Sequence, residues 1–121
     1  MRQVRRHRDA DHRLATYGSL APGRSNHHVV ADLTGEWLHG TVRGNLRHDG
    51  WGADLGFPGI VLDPHGPLVE VQVLESRDLP ARWNQLDEFE GPGYRRVVTV
   101  VSTDRGDVHA QIYALADAVV G

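Results

Sequence analysis

The chain has 121 residues and a mass of 13.4 kDa, enough for one compact domain that buries roughly two thirds of the surface its unfolded form exposes. Its composition, 40% apolar and 24% charged with no cysteine, is that of a globular domain, and it excludes disulfides, a thiol nucleophile and thiolate metal sites. All thirteen basic residues are Arg, set against sixteen acids for a net charge of −3, so a Schiff-base lysine and a phosphate-loop lysine are excluded as well.

The charge is unevenly spread. Residues 1–14 hold Arg2, Arg5, Arg6, Arg8 and Arg13 against Asp9 and Asp11, and the remaining chain is acidic. An acidic body lacks the basic face that nucleic acid requires, so neither nucleic acid nor a membrane is an expected partner. Residues 1–13 read as a solvated basic tail ahead of a single domain over 14–121. No apolar run approaches the ~18 residues of a membrane span, and no apolar segment of a secretory signal follows the N-terminal charges. A soluble, cytoplasmic protein is the expectation.

Residues 14–19 predict a first strand, ended by the turn-forming run Gly18-Ser19-Leu20-Ala21-Pro22-Gly23. Ser25 then suits the N-cap of a short helix over 26–33, with Val29, Val30 and Leu33 inward. A strand follows over 37–46, then a loop over 48–56 rich in Gly and Asp. Strands are expected over 57–62 and 68–74. The second alternates, with Val69, Val71 and Val73 on one face and Leu68, Glu70 and Gln72 on the other. Residues 78–90 predict the longest helix, with Asp78 as N-cap, Pro80 in the first turn and Gly91-Pro92-Gly93 as its stop. Two strands, 94–102 and 108–115, close the chain. Strands outnumber helices, so the fold class is α+β with a curled, mostly antiparallel sheet.

Few groups could carry chemistry. At 100° per residue, Glu90 lies about 20° from Leu79, in the middle of the apolar face that Trp83 and Leu86 share, whereas Glu88 lies about 180° away and Asp87 at the rim near 80°. A carboxylate on an apolar face, in the negative last turn of a helix, has its pKa pushed up by burial and by the dipole; the alternative is that the helix frays at Phe89 and Glu90 turns outward. A carboxyl raised toward neutrality is what a general acid/base requires. The turn Tyr17-Gly18-Ser19-Leu20 is either an ordinary strand ending or a nest of backbone N–H groups that holds an anion. Ser19 does not lie in a Gly-x-Ser-x-Gly elbow. The eight His form no pair with metal-ligand spacing, so no metal site is expected. The glycine run 50–56 is one residue too long for a dinucleotide fingerprint and precedes a strand rather than a helix.

Several of these pieces carry a resemblance. YGSL at 17–20, GRSNHH at 23–28, GFPGIV at 56–61, LDEFEGPGYRR at 86–96 and the strand with Ile112-Tyr113 occur in the order seen in the gamma-glutamylcyclotransferase-like family, in its AIG2-like and gamma-glutamylamine cyclotransferase branch. The chain resembles that family over residues 14 to 116. The resemblance implies a small, mostly antiparallel β-barrel flanked by helices. It implies that Glu90 is the catalytic acid/base and that the loop of Tyr17, Gly18, Ser19 and Leu20 holds the glutamyl end of a small-molecule substrate. Tyr94 or Tyr113 would orient Glu90 or the glutamyl chain. The family reaction releases 5-oxoproline from a gamma-glutamyl amide and implies neither cofactor nor metal. A non-catalytic or diverged small-ligand-binding domain on the same fold is the alternative. The far wall of the pocket is expected from loop 48–56.

Overall fold

The computed structural model describes residues 10–18, 20–47 and 59–116. Ser19, the expected loop 48–56 and the start of the strand expected at 57 lie outside the described residues.

Among the described residues six strands form: β1 (Arg13–Thr16), β2 (Glu36–Arg47), β3 (Gly59–Leu62), β4 (Leu68–Glu75), β5 (Tyr94–Thr103) and β6 (Gly106–Leu115). β1 stops three residues before its expected end. There the Gly18 N–H turns back to the Thr16 hydroxyl at 3.3 Å and the Gly18 carbonyl accepts the Ala21 N–H, so turn bonds replace ladder bonds. β4 alternates as expected, with Val69, Val71 and Val73 buried.

β2 pairs antiparallel with β4, β4 with β1 and β6 with β5, while β1 runs parallel to β6. β5 then returns to β2 through Gly40↔Thr103 and Thr41↔Ser102. Strands β2, β4, β1, β6 and β5 thereby close a five-stranded mixed barrel, and β3 extends it from the second half of β2. Closure leaves few free strand edges. The barrel interior is filled by small and β-branched side chains, among them Ala15, Val42, Val71, Val101 and Ile112, while larger ones, Leu14, Leu74, Leu79, Trp83 and Leu86, fill a second core outside the barrel wall. Narrow barrels accept small residues inside; the helical layer supplies bulk outside.

The expected helix over 26–33 is a 3-10 turn, His27–Val29, within a run of turns, and Asn26 rather than Ser25 precedes it with no side-chain cap. Successive three-residue bonds (Val29 N–H to Asn26, Val30 N–H to His27, Leu33 N–H to Val30) hold it. Val30 is fully buried, with Val29 and Leu33 packed beside it.

The helix expected over 78–90 is two pieces, a 3-10 turn Leu79–Ala81 and the helix α1 (Trp83–Glu90). Pro80 offers no N–H to the first turn. Asp78 does not cap it, because its carboxylate accepts the Thr34 N–H at 3.0 Å and the Thr34 hydroxyl at 2.8 Å. Gly91, with φ 82°, ends α1 and returns its N–H to the Asp87 carbonyl, a conformation that favours glycine.

The folded body also begins before residue 14. Ala10–His12 form a 3-10 turn in which Ala10 is fully buried. The Trp83 indole donates to the Asp11 carbonyl at 3.0 Å and the Ser76 N–H to the His12 carbonyl at 2.8 Å. The turn Ala10–His12 thus packs onto the domain expected from residue 14; a single alanine between two aspartates carries no periodic signal. Among the described residues no helix is long and apolar enough to cross a membrane.

Candidate active site

Glu90 is the last residue of α1. Leu86, four residues earlier, is fully buried, and the shared helix face carries Glu90 toward the sheet. Burial pushes its carboxyl up from 4.5 to about 7. Its charge in turn raises the hydroxyls of Tyr17, Tyr94 and Tyr113. These three tyrosines are the residue that follows β1, the first residue of β5 and a residue near the end of β6. The barrel thus gathers around one carboxyl residues that are some seventy positions apart in the chain.

The tyrosines differ in what their hydroxyls do. Tyr17 donates to the Tyr113 carbonyl at 2.6 Å and accepts the Ile60 N–H at 3.1 Å, so it ties β1, β3 and β6 together at one barrel end. Burial, more than any other cause, raises it well above the ordinary phenol range. The Tyr113 hydroxyl donates to Asp87 Oδ1 at 2.7 Å; burial and then that bond raise it too. Tyr94 is raised by burial and by Glu90.

Asp87 and Arg96 were not expected in the site. The Arg96 fork grips Asp87 through Nε at 2.9 Å and Nη2 at 3.2 Å. Its Nη1 donates to Gln111 Oε1 at 2.6 Å, and the guanidinium lies 4.6 Å from the centre of the Trp83 ring. Gln111 passes the chain on, donating to Asp11 Oδ1 at 2.9 Å. Burial works against the Asp87 charge, but the Arg96 and Tyr113 hydrogen bonds and the Arg96 charge outweigh it and hold the carboxyl below its usual range. Asp87, Tyr94, Arg96 and Tyr113 line a cleft of about 260 Å³. The available signal was the spacing: Asp87 precedes Glu90 by three residues, on adjoining flanks of one helix.

The turn after Tyr17 is held from below. Leu20 is buried in the outer core, and its carbonyl accepts the Nδ1–H of His27 at 2.9 Å. The His27 ring leans on Trp37 with centroids 5.6 Å apart. Because a carbonyl only accepts, the contact fixes the Nδ1 proton. Of the expected site residues, Tyr17, Glu90, Tyr94 and Tyr113 come together, Gly18 follows Tyr17 directly, and the Leu20 side chain turns into the core. Ser19 lies outside the described residues. Among the described residues no three His, Asp or Glu are grouped so as to hold a metal ion.

A closed mixed barrel with a protonatable carboxyl at the end of its packed helix defines a class of small α+β domain. The sequence model of the family described as "Gamma-glutamyl cyclotransferase, AIG2-like" matches residues 14–120, and the chain belongs to that family. No curated protein sequence matches it. Solved structures do. YkqA from Bacillus subtilis is similar at 27% identity with a TM-score of 0.68, covering 86% of this chain and 35% of that one. An AIG2-like protein from Mus musculus is similar at 23% identity with a TM-score of 0.67, covering 86% of this chain and 76% of that one. A protein from Arabidopsis thaliana is similar at 23% identity with a TM-score of 0.68, covering 88% and 63%. The chain thus spans about a third of the length of the Bacillus protein.

Proposed function

We propose that this domain is a cyclotransferase that releases 5-oxoproline and a free amine from a gamma-glutamyl amide. The substrate carries its own nucleophile. Its α-amine attacks its own γ-carbonyl, a C–N bond closes a five-membered ring, and the original amide C–N bond breaks. The enzyme supplies shape and protons. Holding the chain in the attacking conformation draws on effective molarities of roughly 10⁵–10⁸ M. Glu90 as carboxylate takes the proton of the attacking α-ammonium and, as acid, returns it to the leaving amine, so the enzyme ends in its starting form.

The carrying observation is the Glu90 carboxyl, half-buried and raised to about 7 beside three tyrosines. Near neutrality such a group exchanges protons in both directions. The turn of Tyr17, Gly18, Ser19 and Leu20 holds the substrate α-carboxylate through its main chain in this reading, since the Tyr17 hydroxyl is engaged twice and the Leu20 side chain is buried. Tyr94 and Tyr113 flank the reacting amide in the same reading.

The test is 5-oxoproline formation from a panel of gamma-glutamyl amines and amino acids. Glu90→Gln keeps size and hydrogen bonding but cannot take the ammonium proton. Its rate is expected to fall by roughly 10²–10⁴-fold with substrate binding retained. Equal rates in parent and variant would remove Glu90 from the reaction. Binding without turnover in the parent would favour a ligand-binding domain.

A further inference from the structure

We infer that His27 is a positioning residue: it holds the Leu20–Ala21 peptide in place, so that the turn after Tyr17 keeps its main chain shaped for the substrate's α-carboxylate, and it does so without touching the substrate. This rests on the reading of that turn as the carboxylate site. It goes beyond that reading by giving a task to the GRSNHH run at 23–28, which the proton transfer and the carboxylate contacts leave without one.

Both polar groups of the Leu20–Ala21 peptide are occupied. The Leu20 carbonyl accepts the His27 Nδ1–H at 2.9 Å, and the Ala21 N–H donates to the Gly18 carbonyl at 3.3 Å. The side chains of Leu20 and Ala21 are buried. A peptide held at both ends cannot rotate without losing both bonds. Rotation matters at an anion site, where an N–H attracts a carboxylate and a carbonyl oxygen repels it. The Ala21 bond lies within the turn itself. The His27 bond comes from outside it and ties the turn to the rest of the fold.

His27 is itself fixed. Its N–H donates to the Arg24 carbonyl at 3.2 Å and its carbonyl accepts the Val30 N–H at 3.0 Å. Its ring meets Trp37 of β2 at 5.6 Å, with the ring planes 52° apart. The segment that follows His27 is clamped to the residue that precedes α1. Arg82 Nη1 donates to the Val29 carbonyl at 3.1 Å and to Asp32 Oδ1 at 3.1 Å, and Nη2 donates to Asp32 Oδ2 at 2.6 Å. The turn is thus braced, through His27 and its segment, against the start of the helix that ends in Glu90. An imidazole donates from Nδ1 as the Nδ1–H tautomer and as the cation alike, so the hold requires no change of charge. The neighbouring His28 is exposed and supplies a control.

The experiment titrates two probes into the full chain and follows the amide signals of Gly18, Leu20 and Ala21 by NMR. One probe is 5-oxoproline, which carries the carboxylate; the other is its carboxamide, which does not. The parent is expected to bind 5-oxoproline more tightly than the carboxamide. His27→Phe keeps an aromatic ring beside Trp37 but loses the donor. Its Kd for 5-oxoproline is expected to rise by roughly 3- to 10-fold, the worth of one hydrogen bond, with the Kd for the carboxamide unchanged. His27→Asn places an amide N–H where Nδ1 stood and is expected to restore the parent Kd. His27→Gln carries its N–H one bond farther from the backbone and is expected to behave as His27→Phe, so the Asn and Gln variants decide if the Phe variant does not fold. His28→Phe is expected to bind both probes as the parent does. A merely structural His27 would lower the urea midpoint and leave the Kd of the folded protein unchanged, or weaken both probes alike; either result overturns the inference. So does a His27→Asn as weak as His27→Gln, or a parent that binds the two probes equally. These readouts need no turnover, so failure of the cyclotransferase reading shows separately, as a parent that forms no 5-oxoproline from the gamma-glutamyl panel. Where the parent turns over a gamma-glutamyl amide, KM is expected to rise in His27→Phe and His27→Gln while kcat stays within a few-fold.

Discussion

Glu90 is stabilised as an acid and destabilised as a base by one cause, burial, and that has a thermodynamic cost with a definite sign. Its carboxyl binds a proton more tightly in the folded chain, near 7, than at the ordinary 4.5. Folding stability from this group is therefore full below pH 4.5 and lost as pH rises through 7. The loss is at most about 3 kcal/mol. Glu90→Gln carries no such loss. In urea unfolding its stability is expected to match the parent near pH 4 and exceed it by up to about 3 kcal/mol at pH 8. A constant difference at both pH values would mean that Glu90 is solvated. By contrast, Glu88 is exposed on the opposite face. Glu88→Gln is expected to stay within a few-fold of parent turnover and about 0.5 kcal/mol of parent stability. This pair of carboxylates was legible in the sequence because the relation of Glu90 to Trp83 and Leu86 lies wholly inside α1, where 100° per residue holds. The partners of Asp87 were not legible, since Arg96 and Tyr113 reach it only through the β5–β6 ladder.

Each element is placed by contacts that a local pattern does not encode. The strands were readable from alternation, as in β4, because each has one face toward an apolar interior. The helices were readable in position but not in kind. Asp78 has the chemistry of a cap, yet its carboxylate is taken by Thr34, forty-four residues away, and the segment after it winds as a 3-10 turn. Tyr17 shows the same dependence at the site. Its hydroxyl satisfies the Tyr113 carbonyl and the Ile60 N–H, and both residues are buried. Tyr17→Phe leaves a buried acceptor and a buried donor without that partner. It is expected to cost about 1–3 kcal/mol for each group that water does not reach. Because the same bonds hold β3 and β6 around Glu90, hydrogen exchange at the Ile60 amide is expected to quicken in the variant. Unchanged exchange there would show that Tyr17 does not tie this end of the barrel.

At the scale of the whole molecule, the sheet becomes a barrel at one short seam, and the seam depends on a missing side chain. β2 and β5 meet through only two register pairs, Gly40↔Thr103 and Thr41↔Ser102. A Cβ on Gly40 would stand 2.6 Å from Val101 Cγ1 and 2.8 Å from the Ser102 carbonyl oxygen. The first neighbour is a fully buried core side chain and the second is backbone, so neither has room to yield. In Gly40→Ala, β5 must retreat from β2, which breaks the seam pairs and loosens the packing of Val101. Overpacking of this kind typically costs about 1–3 kcal/mol, with the lost pairing in addition. Gly18→Ala is the control, for nothing lies within 4 Å of its Cβ and its backbone is not in the left-handed region. Urea unfolding is expected to lower the midpoint of Gly40→Ala well below that of Gly18→Ala. Amide exchange is expected to rise at residues 101–103 before it rises in β4, which holds Gly40 and Thr41 from the other edge of β2 within a ladder that runs on to Glu36 and Arg43. Equal midpoints in the two variants would mean that the barrel tolerates an open seam. Closure would then contribute little to the stability that holds Glu90, Tyr94 and Tyr113 together.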